Sequence, residues 1–208
     1  GSNPSGPVNK TSVIKSPLLI FDFDGVILDG MSEYWWSSRK ACLELLKSQS
    51  NSIFLPETVP QEFTQLRPWV NQGWEMVLLA AEILRPESFL TIKGAKAFST
   101  NYKMRCKKAL EVWGWQPKDL QLALDHVRRI ALSVDQQGWL NLHKPFPKIV
   151  DRLNLLDDEG IDFAVITTKG AEFTAAILKS FQLSPKLLYG HESGKKTDVL
   201  LRLKSEYS

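Results

Sequence analysis

The chain has 208 residues, enough for one large domain or a core with a sizeable insertion. Its 43% hydrophobic and 24% charged residues are ordinary for a globular protein, and a net charge of +3 with scattered basic residues makes no case for nucleic acid. Two cysteines without CxxC spacing argue against a disulfide framework or a cysteine zinc site and suit a reducing compartment. The three histidines are far apart and read as surface or packing residues. No apolar run is long enough to span a membrane, and no signal peptide is evident. A cytoplasmic protein is expected, or one of an organelle stroma if a targeting peptide has been removed.

Residues 1–16 read as a disordered tail, with Gly1-Ser2 a cloning scar and Asn9-Lys10-Thr11 a chance sequon. Leu18 to Phe23 is a continuous apolar run after Pro17 and predicts a buried strand of a parallel sheet. From about 31 to 144 the pattern is helical: "SEYWWSSRKACLELLKS", "PQEFTQLRPWV", "EMVLLAAEIL", "FSTNYKMRCKKALEVW" and "LQLALDHVRRIALSV". All seven tryptophans fall in this stretch, as expected of a helical bundle filling its own core. "PFPKIVDRLNLLDDEG" then predicts a helix ended by glycine, "DFAVIT" a second buried strand, Ala171 to Phe181 a helix, Leu187 to Tyr189 a third strand and Lys195 to Tyr207 a last helix. Strand and helix alternating in this way predict a doubly wound α/β core. The expected division is 17–30 and 145–208 for the core and 31–144 for an inserted α-helical cap.

The chemistry starts at "LLIFDFDGV". Ligands of open α/β sheets bind beyond the carboxyl ends of the strands. Asp22 and Asp24 stand there two positions apart, so an extended backbone points both the same way. Two carboxylates so close need either a divalent cation of Mg²⁺ type or a shared proton. A calcium loop does not fit, because the segment is apolar where ligands would stand. Thr167 closes the second strand in "VITTKG", where its hydroxyl and the following N–H groups suit phosphate oxygens. Lys195 or Lys196 in "GKKTD" is placed to neutralise phosphate and Asp22 together.

Together "FDFDGV", "VITTK" and "KKTDVLLRL" resemble three motifs of the haloacid dehalogenase-like hydrolase superfamily, with a C1-type cap between the first two. The resemblance runs from Leu18 to the C-terminus. It implies a Rossmann-like core, with Asp22 as nucleophile and Asp24 as general acid/base. It implies Mg²⁺ on Asp22 and on the backbone carbonyl of Asp24, and phosphate on Thr167, Thr168 and a lysine, for which Lys196 keeps the Lys-x-Asp-x-Leu spacing better than Lys195. The cap would contact substrate through Glu33, Arg67, Asn71, Gln72 and Trp74, of which Trp74 sits in the polar turn "VNQGW". Asp24 favours phosphate chemistry over dehalogenation. The phosphoglycolate phosphatase type is the nearer match, and a sugar-phosphate mutase of the β-phosphoglucomutase type is a further alternative. The implied function is Mg²⁺-dependent hydrolysis of a small phosphorylated metabolite. The family's fourth motif, an acidic strand end completing the cation site, would follow the last helix, where the sequence stops at "KSEYS". The expectation is either a fragment of a longer protein or a binding module without turnover.

Overall fold

The structure is a computed structural model that describes residues 17–47 and 54–207. The tail and its sequon lie outside the described residues. The first strand, β1 (Leu18–Phe21), stops just before Asp22. Phe23, Asp24 and Gly25 then make a tight turn in which the Ile27 N–H donates to the Phe23 carbonyl at 2.9 Å. Gly25 takes φ +79°, which a side chain would strain. A two-residue strand, β2 (Leu28–Asp29), leads out of the core.

The helical stretch comprises α1 (Met31–Leu46), α2 (Gln61–Leu66) followed by a 3₁₀ turn at Arg67–Trp69, α3 (Gly73–Leu84), α4 (Phe89–Thr100), α5 (Tyr102–Trp113), α6 (Pro117–Val134) and α7 (Gln136–Leu140). The single helix read across "FSTNYKMRCKKALEVW" is two, because Asn101 adopts φ −132°, ψ 46° and breaks the run. Asparagine competes with helical hydrogen bonding through its own side chain. The "VNQGW" turn is shorter than expected: Gly73 and Trp74 already form the first turn of α3. A Cβ on Gly73 would lie 2.9 Å from Leu124 of α6, so glycine lets these two helices approach.

The chain returns through β3 (Lys144–Pro145), which pairs antiparallel with β2, so both crossings between cap and core run side by side. Then follow α8 (Pro147–Asp158), β4 (Asp162–Ile166), α9 (Ala171–Ser180), β5 (Leu187–Tyr189) and α10 (Lys196–Tyr207). The parallel sheet has the order β1-β4-β5, with Phe21 opposite Val165 and Val165 opposite Leu188. This is the α/β core with an inserted helical cap that the sequence predicts. The first strand departs from expectation in one respect. Among the described residues β1 pairs only with β4, and Leu19 and Ile20 are about 40% exposed rather than buried. An edge strand lacks the neighbour that would cover it.

Two main apolar clusters form. One fills the cap around Trp35, Phe63, Val77 and Phe98. The other joins Phe23, Ile27, Val165, Phe173 and Ile177 of the core with Trp139 of α7. Trp139 is thus a ring of the helical stretch that does not serve the bundle's own core. It packs edge-on to Phe173 of α9 at 6.2 Å and ties the cap's last helix to the core. No helix among the described residues is long and apolar enough to cross a membrane.

Candidate active site at the cap and core boundary

Because Phe21 pairs with Val165, β1 and β4 end level, and Asp22 and Thr167 leave the sheet at the same edge. Asp22 is about half exposed, and its Oδ1 lies 2.8 Å from Lys196 Nζ. Lys196 begins α10, so the first turn of that helix delivers the ammonium to the carboxylate. Lys195 instead uses its carbonyl to accept the N–H groups of Asp198 and Val199, capping α10, and both lysines line the cleft. The geometry thus separates the two lysines: Lys196 meets Asp22. Thr167 is buried, and its Oγ1 accepts the Lys169 N–H at 3.1 Å. That leaves the hydroxyl proton for an acceptor above the strand end.

Asp24 stands deeper. Its Oδ1 accepts the Tyr34 hydroxyl at 2.6 Å and lies 3.7 Å from Lys169 Nζ. Burial, and then the charge of Asp24, raise the Tyr34 phenol above its usual range, so it remains a donor. A small cavity of about 20 Å³ touches Asp24, Tyr34, Arg67, Asn71, Gln72 and Thr168. A larger cleft of about 550 Å³ carries Asn71, Gln72 and Trp74 of the cap against Thr168, His191 and Lys196 of the core. Arg67, Asn71, Gln72, Trp74 and Thr168 therefore all face the cap–core boundary.

Glu33 does not, and this corrects the expectation that it contacts substrate. It is fully buried. Arg128 of α6 grips it with Nε to Oε1 at 2.7 Å and Nη2 to Oε2 at 3.0 Å. Ser37 donates to Oε1 at 2.5 Å, and Lys169 Nζ lies 2.9 Å from Oε2. Burial alone would raise this carboxyl, but Arg128 and then Lys169 hold it well below the usual carboxylate range. With every oxygen engaged, Glu33 has nothing left for a ligand.

His143, just before β3, faces the same cluster. Its Nδ1 lies 3.2 Å from the Leu140 carbonyl, while Nε2 has no hydrogen bond and sits 3.8 Å from Glu33 Oε2. Burial is the main force that pushes its pKa down to about 4. His191, by contrast, lies on the cleft wall with Nε2 3.1 Å from Asp125 Oδ2 of α6, and that hydrogen bond raises its pKa. Sequence reasoning missed Tyr34, Arg128, Lys169, His143 and His191. A signal existed for Arg128: Leu124, Val127, Arg128 and Ala131 form the buried stripe of α6, and a charge on such a stripe needs a buried partner.

Mg²⁺ keeps several waters and takes one or two protein carboxylates plus phosphate oxygens. The half-exposed Asp22 carboxylate, with the backbone carbonyl of Asp24, fits that sparse donor set. Among the described residues no cluster of three or more His, Cys, Asp or Glu has metal-site geometry.

No protein-family profile matches the sequence, and no curated protein does. Solved structures match in fold. A structure described as a predicted phosphoglycolate phosphatase from Haemophilus somnus has 15% identity over 92% of this chain and 72% of its own, with a TM-score of 0.55. One described as a predicted phosphatase from Clostridium acetobutylicum has 15% identity over 92% of this chain and 69% of its own, with a TM-score of 0.52. The phosphatase Tt82 from Thermococcus thioreducens has 12% identity over 91% and 78%, with a TM-score of 0.52. The chain shares the fold of these three structures.

Proposed function

We propose that this protein is a phosphomonoesterase that hydrolyses a small phosphorylated metabolite with Mg²⁺ as cofactor. The observation that carries the reading is the 2.8 Å pair of Asp22 and Lys196 at the strand edge where Thr167 also emerges. An Asp22 oxygen attacks phosphorus, and the bond to the leaving oxygen breaks as Asp24 gives that oxygen its proton. Asp24 then takes a proton from water, whose oxygen displaces the carboxylate and releases inorganic phosphate. Lys196, Thr167 and Thr168 hold the phosphoryl oxygens, whose charge the ammonium partly neutralises. The Asp22 carboxylate and the backbone carbonyl of Asp24 would hold the cation, which supplies further charge neutralisation between carboxylate and phosphate. The cleft beside Trp74 and Lys118 admits the remainder of the substrate.

The test is phosphate release from 4-nitrophenyl phosphate and a panel of phosphorylated metabolites, with Mg²⁺ or with a chelator. Wild type should turn over only with the cation, and Asp22→Asn should lose on the order of 10⁴-fold or more. Equal rates for wild type and Asp22→Asn would overturn the reading.

A further inference from the structure

Around Asp24 stands a set of side chains that phosphoryl transfer as described does not use. Tyr34 lies in the first turns of α1, in the cap, and Lys169 lies two residues after Thr167, in the core. Both converge on the same carboxylate oxygen, Oδ1 of Asp24. No hydrogen bond reaches Oδ2 from the described residues. A carboxyl group that must give up and take back a proton needs one oxygen directed at the leaving group and the other held still.

The phenol is itself clamped. It is 3% exposed. The Arg67 guanidinium sits 4.6 Å from its ring centroid and the Lys169 ammonium 5.2 Å. Gly30 leaves it room: a Cβ there would stand 2.4 Å from Tyr34 Cζ and 2.6 Å from its hydroxyl oxygen. Lys169 is held by Glu33, and Glu33 by Arg128, so the cap supplies both the phenol and the anchor of the ammonium.

We propose that Tyr34 is a positioning residue for Asp24: the cap-borne hydroxyl pins Oδ1, with Lys169 beside it, and so turns Oδ2 toward the leaving oxygen only while the cap is seated. This rests on the phosphatase reading of the same site. It separates proton delivery, which depends on the cap, from nucleophilic attack by Asp22, which does not. A leaving group that departs as a stable anion needs little proton donation, whereas an alkoxide needs it fully.

The experiment compares 4-nitrophenyl phosphate with ethyl phosphate on the full chain with Mg²⁺, for wild type, Asp22→Asn, Tyr34→Phe, Gly30→Ala and Asp24→Asn. Tyr34→Phe keeps the ring and should lower kcat/KM, which reports the steps up to departure of the leaving group and not the later attack of water, by roughly 10–100-fold on ethyl phosphate, with less than about a 3-fold change on 4-nitrophenyl phosphate. Gly30→Ala, which displaces the ring, should show the same selective loss and carries the test if Tyr34→Phe does not fold. Adding Tyr34→Phe to Asp24→Asn should change nothing further, since the two act as one unit. Equal losses of kcat/KM on both substrates, or none, with Asp22→Asn inactive, overturn the role of Tyr34 and leave the phosphatase reading standing. An active Asp22→Asn overturns both.

Discussion

Two lysine–carboxylate pairs lie close to the strand ends, and they are built for opposite purposes. Lys169 and Glu33 are both buried, 2.9 Å apart, with Arg128 and Ser37 completing the carboxylate's partners. Lys196 and Asp22 are 2.8 Å apart, yet the side chains are 34% and 46% exposed. A buried, fully partnered carboxylate cannot be recruited by a ligand without stranding the charges around it. An exposed pair is held weakly, so each member can exchange the other for a cation or a phosphate oxygen. The same residue types are a fixed joint in one place and a replaceable contact in the other, and depth is the difference.

The contrast breaks most visibly in the buried pair. Glu33→Gln keeps the shape and removes the charge, leaving Arg128 and Lys169 facing a neutral amide. The expected loss is about 3–5 kcal/mol in denaturant unfolding. Acid should weaken the same cluster through His143. Its pKa is about 4 in the folded chain against 6.5 as an ordinary value, so the unfolded chain takes the proton first. Stability is therefore full above pH 6.5 and falls as the pH drops toward 4, by at most on the order of 3 kcal/mol. Glu33 stays ionised through that window, because its pKa is lowered. Glu75, raised by burial, works in the opposite direction. Comparing wild type with His143→Gln by melting at pH 7.5 and 4.5 cancels the Glu75 contribution, and the variant should show the shallower loss.

The exposed pair should reverse the balance between stability and activity. Lys196→Met is expected to change unfolding free energy by less than about 1 kcal/mol. It should nonetheless lower phosphatase turnover roughly 10²-fold, the scale of losing one charge-stabilising group. A Lys196→Met protein that unfolds early while keeping its turnover would erase the distinction between the two pairs. The smallest effect belongs to Arg129 and Glu172, which join α6 to α9 at 2.5 Å with both side chains more than half exposed. Arg129→Ala should cost well under about 1 kcal/mol in the same measurement.

Much of the fold was legible locally. Continuous apolar runs marked β1 and β4, and the helical period marked α1, α3 and α6, because core-facing residues must recur with the period of their element. The short β2 and β3 carried no such signal. Two residues show no period, and their pairing joins positions more than a hundred residues apart. The site divided the same way. Asp22, Asp24, Thr167 and the Lys195–Lys196 pair stand at the ends of regular elements, where local pattern locates them. Glu33 read as a substrate contact of the cap because its partners, Arg128 and Lys169, come from far along the chain.

What the sequence by itself determined is the order of the elements and the residues that each strand or helix end presents. Those follow from periodicity, turn chemistry and the charge of short segments. What only the tertiary structure decided is depth: which carboxylate sinks and which stays open, which lysine reaches Asp22, and that a phenol from the cap lies on Asp24. Depth is set by contacts between distant segments, and it sets the local dielectric, so the same side-chain type is a fixed structural ion in one place and an open, exchangeable one in another.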